Sequence, residues 1–255
     1  MDGGVLRLVM DKPARGNALC PSMMRDMAQA FEEGAVAGVR VALLEGAGDR
    51  AFCTGYDLAE LHSMSGGEAP EDWASSFPEL TEMLRAIEAF QAPVIGVLGG
   101  HAIGGGALLA SFCDLRIARA GVRFQIPASR LGVLYPLEGI RRLVAVVGQA
   151  RASSMLLRAR NLGTDEGLAA GLYESVQSAE DLPRAAEELA SELASRAPLA
   201  CAGLKTILRG IAMDQPTEEL RSLHHLWTSR CLSSSDLAEG LSAALARREP
   251  SFTGS

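Results

Sequence analysis

Apolar and polar positions alternate around Arg7 in Val5–Met10, the pattern of a strand at a sheet edge. Residues 11–17, with Pro13 and Gly16, read as a loop. From Pro21 to Val36 the spacing becomes that of an amphipathic helix, with proline where a first turn tolerates it. Residues 39–45 (VRVALLE) are a nearly continuous apolar run, as in a strand covered on both faces. A turn over 46–50 leads to a second short strand, Ala51–Cys53.

Residues 62–72 (HSMSGGEAPED) are polar and contain Gly and Pro, predicting a mobile loop. Phe77, Leu80, Leu84, Ile87 and Phe90 have helical spacing within 74–91, and 93–98 (PVIGVL) predicts another covered strand. Residues 99–106 form a glycine-rich turn, followed by an apolar helix, ALLASFCD, and by strands over 115–118 and 122–126. From about Leu137 the pattern is nearly all helical. Strands alternating with helices predict an α/β first half, and helices from Pro198 onward carry apolar faces that need a partner. No strong internal repeat and no low-complexity segment is present.

The 255 residues suit one large domain, or one domain with a helical extension. A net charge of −7 argues against nucleic acid as the main partner, since phosphate backbones need a basic footprint. The five cysteines (20, 53, 113, 201, 231) are odd in number and make no C-x-x-C pair or metal-spaced cluster, so no metal site is expected. They read as reduced thiols of a cytoplasmic protein. The first residues carry no leader pattern, and no apolar run is long enough to span a bilayer.

Two glycine-bearing turns hold the candidate chemistry: Ala51-Phe52-Cys53-Thr54-Gly55-Tyr56-Asp57-Leu58, and Gly99-Gly100-His101-Ala102-Ile103-Gly104-Gly105-Gly106. The second opens a helix. Unpaired first-turn N–H groups and the helix dipole favour an anion or a developing oxyanion there. Each turn alone fits ordinary packing equally well.

Taken in order, these turns resemble the crotonase (enoyl-CoA hydratase/isomerase) superfamily, as do DKPARGNAL, LGVLYPLEGIRRL and the final SSSDLAEGLSAALARREPSFTG. The resemblance implies a ββα spiral over residues 1–195 with the acyl-CoA site. It also implies a C-terminal helical region, 196–255, that assembles a homotrimer or a dimer of trimers. The substrate would be an acyl-CoA thioester, with coenzyme A part of the substrate and no separate cofactor. It assigns the two oxyanion donors to the backbones of Tyr56 and Gly105. The adenine end of CoA would lie near Ala14, Arg15, Asn17, Asp57 and Leu58.

The hydratases of this superfamily use two glutamates. At those positions this sequence has Leu108 and Ala128. Efficient hydration is therefore not expected, because addition of water needs an acid and a base. The segment around Tyr135 and Glu138 resembles that of methylmalonyl-CoA decarboxylase, where a tyrosine contacts the substrate carboxylate. Decarboxylation of a malonyl-type acyl-CoA is the preferred expectation, since it needs an oxyanion hole but no base. Double-bond isomerisation by Glu138, and acyl-CoA binding without catalysis, stay open beside it. Glu138 also fits a plain first-turn carboxylate, Tyr135 a core tyrosine, and His101 a hydrogen-bonded structural histidine. His62 falls on the polar loop and reads as solvated. Arg141 and Arg142 read as a solvated face, and Lys205, Arg247 and Arg248 as candidates to meet CoA phosphates.

Overall fold

The computed structural model describes residues 4–57 and 77–255. Leu58, His62 and the polar loop at 62–72 lie outside the described residues. Strand β1 (Val5–Met10) leads through a short 3-10 turn (Pro13–Arg15) into helix α1 (Pro21–Val36). Strands β2 (Val41–Gly46) and β3 (Ala51–Cys53) follow, then α2 (Pro78–Ala89), β4 (Val94–Leu98), β5 (His101–Ile103) and α3 (Gly105–Phe112). After β6 (Leu115–Arg119) and β7 (Phe124–Gln125) come α4 (Ala128–Leu131), α5 (Leu137–Val147), α6 (Gln149–Arg158) and α7 (Thr164–Ala169). The chain closes with β8 (Ser175–Gln177), α8 (Leu182–Ala194), α9 (Pro198–Ala212), α10 (Thr217–Leu232) and α11 (Ser235–Ala246).

Two parallel sheets organise the first part. One has the order β1-β2-β4-β6-β8, the other β3-β5-β7. Three times the chain leaves the large sheet (β2, β4, β6) and adds a strand to the small one (β3, β5, β7) before a helix carries it onward. The result is a ββα spiral whose repeat exists in geometry without a repeat in sequence. The apolar runs of β2 and β4 are buried because the sheet is covered on both faces: α1, α2 and α3 lie on one side and α8 on the other.

Two strands depart from the sequence expectation. β5 lies inside the stretch read as a glycine-rich turn, and β8 lies inside the part read as helical. Both are three residues long. β8 is half-buried along its length, so no apolar run marks it.

Helix α3 is buried on all sides, from Gly106 to Phe112. Its C-terminal carbonyls are met by cations. The buried Arg116 guanidinium donates to the carbonyls of Ala110 (3.2 Å) and Cys113 (2.6 Å), and Arg209 donates to that of Phe112 (3.3 Å). Cations at a helix C-terminus oppose its negative end.

Lys205 and Arg209, both on α9, converge on Asp114, at 2.7 and 3.0 Å. Lys205 also donates to the Ala92 carbonyl at 2.6 Å, and Arg209 to that of Glu88 at 2.6 Å. Burial alone would raise the Asp114 carboxyl; the two cations, with hydrogen bonds from Lys205 and the Val94 N–H, hold it below the usual carboxylate range. Burial pulls the Lys205 ammonium down to about 8, against the opposing pull of Asp114. Lys205 is therefore a buried strut and not, as its charge suggested, a group turned toward CoA phosphates. The solvated-face reading also fails for Arg142, which is 8% exposed with its guanidinium 6.0 Å from the centre of the Phe112 ring. Arg141 is exposed.

Candidate active site

The two glycine-bearing turns meet. The chain after β3 makes a parallel bridge between Tyr56 and Leu19, in which Leu19 N–H donates to the Gly55 carbonyl at 2.8 Å. In such a bridge the N–H and carbonyl of Leu19 face the neighbouring segment, and those of Tyr56 face away. The start of α3 lies beside this N–H. A β-carbon placed on Gly105 would sit 3.4 Å from the Tyr56 nitrogen and 3.3 Å from Gly55 Cα. Gly105 is the first residue of α3, so its N–H has no acceptor within the helix. Two backbone donors, Tyr56 and Gly105, thus stand together at the positive end of a buried helix.

Glycine is required at two points of this junction. Gly55 has φ 90°, and a β-carbon there would lie 2.6 Å from Gly105 N and 2.9 Å from the Ile103 carbonyl oxygen. Gly104 has φ 54° and ψ −122°, a region closed to L side chains.

Gly104 is held on both sides, through its N–H and through the carbonyl of the peptide that joins it to Gly105. Gly104 N–H donates to the Gln125 carbonyl at 2.8 Å. The Gly104 carbonyl accepts from Leu108 N–H at 3.0 Å and from the Tyr135 hydroxyl. Tyr135 precedes Pro136 just before α5, and Gly139 lets that helix lie on α3: a β-carbon on Gly139 would be 2.5 Å from Leu108 Cδ1. Burial, then the Cys53 thiol, pushes the Tyr135 phenol well above its ordinary value, against the Leu108 backbone contact. Burial likewise pushes the Cys53 thiol up to about 12.

Leu108 and Ala128 are buried, at 1% and 8% exposure, while Leu134 is 80% exposed and Leu131 and Leu137 are also exposed. Glu138 lies in the first turn of α5 and is exposed. The Tyr56 ring packs edge-on against Phe77, with centroids 5.0 Å apart, so its backbone and side chain serve different surfaces. The reading of His101 as hydrogen-bonded matches its geometry: Nδ1 accepts from Arg123 N–H at 3.2 Å. Burial, and then Arg123, Arg119 and Arg50, draw the His101 pKa below its usual value.

Of the residues assigned to the adenine end of CoA, Arg15 and Asp57 are brought together, while Asn17 is buried and turned to the backbone, not to a ligand surface. Thr54 N–H donates to the Gly16 carbonyl at 3.0 Å, and Arg15 pairs with Asp57 at 3.4 Å. Ala14 and Arg15 are exposed. Asn17 is fully buried at φ 55° and works as a staple. Its Oδ1 accepts from Lys12 N–H (3.0 Å), and its Nδ2 donates to the carbonyls of Ala47 (3.0 Å) and Ala51 (2.8 Å). Asn17→Ala strands these buried groups. A loss of about 2–3 kcal/mol in urea-unfolding stability is expected.

This ββα spiral, with two backbone nitrogens close together at the start of a buried helix, is the architecture of an enzyme family to which the chain belongs: the enoyl-CoA hydratase/isomerase family, whose family model matches residues 1–255. Among its relatives are the carnitinyl-CoA dehydratase of Proteus mirabilis (34% identical, over 99% of this chain and 96% of the relative) and the probable enoyl-CoA hydratase echA6 of Mycobacterium tuberculosis (34% identical, over 98% and 96%). The crystal structure of an enoyl-CoA hydratase/carnithine racemase from Magnetospirillum magneticum matches with a TM-score of 0.91 at 29% identity, over 100% of this chain and 94% of that one. An enoyl-CoA hydratase from Polaromonas sp. JS666 matches at 0.89, with 28% identity over 99% and 98%.

Proposed function

We propose that this protein binds the thioester carbonyl of an acyl-CoA between the N–H groups of Tyr56 and Gly105 and forms an enolate without a glutamate base. The preferred reaction is decarboxylation of a malonyl-type acyl-CoA. The observation that carries this reading is the pair of buried apolar side chains, Leu108 and Ala128, at the positions where the hydratase pattern has its glutamates. Loss of CO2 leaves its electron pair on the α-carbon and needs no proton acceptor. An oxyanion hole and apolar walls are the surroundings that favour it.

A second reading rests on Glu138, an exposed carboxylate three residues after Tyr135 and at the N-terminus of the helix that packs on α3. One such base can carry a proton between two carbons of an enoyl chain. The names of the relatives denote hydration or dehydration, reactions that call for acid–base groups at the two positions held here by Leu108 and Ala128.

The test is mass spectrometry of methylmalonyl-CoA, malonyl-CoA, crotonyl-CoA and a 3-enoyl-CoA after incubation with the protein in deuterated water. Loss of CO2 with one deuterium gained at the α-carbon is expected. Double-bond migration that falls at least 100-fold in Glu138→Gln would replace this reading with the isomerase. Hydration of crotonyl-CoA at an ordinary enzymatic rate would overturn the argument from Leu108 and Ala128. Tight binding of all four thioesters without turnover would leave an acyl-CoA-binding protein.

A further inference from the structure

We propose that Tyr135 is a positioning residue for the oxyanion hole, acting through the Gly104–Gly105 peptide and not on the substrate. The inference rests on the reading of Gly105 N–H as a donor to the thioester oxygen. The Gly104 carbonyl and the Gly105 N–H are two ends of one planar peptide unit, so whatever fixes the first aims the second. Gly104 sits at φ 54° and ψ −122°, where the neighbouring structure has to hold it. Three hydrogen bonds do so: Gly104 N–H to Gln125, Leu108 N–H to the Gly104 carbonyl, and the Tyr135 hydroxyl to that same carbonyl.

The Leu108 bond is the ordinary one of a first helical turn. The Tyr135 bond is additional and takes up the remaining lone pair of the carbonyl oxygen. A donor on a peptide carbonyl draws electron density from the amide nitrogen. It thereby makes the N–H at the other end a stronger donor, as in any hydrogen-bonded chain. Burial keeps the phenol protonated, so it remains a donor through the working pH range. Its single proton is committed to Gly104 and is not offered to a substrate carboxylate.

The position is built for this purpose. Pro136 disfavours a helical backbone at the residue before it, and the bare Gly139 lets α5 pack closely on Leu108 of α3. Tyr135 thus reaches the turn from a rigid support.

The experiment compares wild-type protein with Tyr135→Phe, which keeps the ring and removes the hydroxyl. Isotope-edited infrared spectra are taken of the thioester carbonyl of bound [1-13C]butyryl-CoA, a saturated thioester with no free carboxylate. In wild-type protein the band moves to lower frequency on binding. In Tyr135→Phe part of that displacement is expected to disappear. In parallel kcat should fall about 5- to 10-fold, with KM nearly unchanged, on every thioester the protein turns over.

An unchanged band with undiminished kcat overturns the proposal. So does a lower thermal midpoint with both unchanged, which would leave Tyr135 a core tyrosine. A loss confined to acyl groups bearing a carboxylate, with KM raised, would place the hydroxyl on the substrate instead. A band that does not move on binding to wild-type protein overturns the oxyanion reading itself, and this inference with it.

Discussion

Gly55→Ala is expected to lower turnover by roughly 10²–10³-fold while the protein stays folded. The reason is local. A methyl group on Gly55 has nowhere to go: the nearest atoms are Gly105 N at 2.6 Å and the Ile103 carbonyl oxygen at 2.9 Å. It also asks an L side chain to accept φ 90°. The cheapest relief separates the two turns, which moves the Tyr56 and Gly105 N–H groups apart. Each is worth roughly 3–4 kcal/mol of barrier when aimed at a developing oxyanion. The measurement is kcat on whichever thioester the deuterium experiment identifies, with circular dichroism as the control for folding. Turnover within threefold of wild type would mean that these two N–H groups do not hold the reacting oxygen.

The second large effect concerns stability. Asp114→Asn is expected to cost about 3–5 kcal/mol, because it leaves two buried cations, Lys205 and Arg209, without their counter-charge. In a chain of this length that lowers the thermal midpoint by about 10 °C. The pH dependence gives a second check. Asp114 titrates below the ordinary carboxylate range in the folded protein. The unfolded chain therefore takes up this proton first as the medium is acidified. Its contribution is complete above the unfolded value of about 3.9 and fades as pH falls below it. The variant should lack that part of the acid sensitivity. A midpoint unchanged between the two proteins at pH 7 would show that the cations are solvated and the node contributes little.

Much of the architecture was legible because burial on both faces of a sheet leaves a local mark. The runs that became β2 and β4, and the helical spacing of α1 and α2, each reflect what covers them. β5 and β8 left no such mark: β5 is fully buried only at Ala102 and lies among glycines, and β8 is half-buried along its length, whereas β3, equally short, is buried throughout. Charge was misleading at Lys205 and Arg142 for a different reason. What surrounds a buried cation comes from elsewhere in the chain: Lys205 meets Asp114 and Arg142 lies over the Phe112 ring, and neither neighbourhood advertises the other. At the site, the turns that carry Tyr56 and Gly105 could be found by resemblance, since their glycines follow two short strands. The bond from Tyr135 to Gly104 could not, because it joins two segments 31 residues apart that share no pattern.

Asp114 also bears on how far the C-terminal helices can be treated as an appendage. Arg209 reaches from α9 to the last carbonyls of α3, and α3 is only about 12 Å long at 1.5 Å per residue. Its opposite end is Gly105. A chain cut near residue 196 would therefore lose more than a docking surface. It would abandon Asp114 without cations and leave the far end of the donor helix loosely anchored. The boundary between spiral and helical region is thus a change of architecture across which α9 holds the end of α3 opposite Gly105.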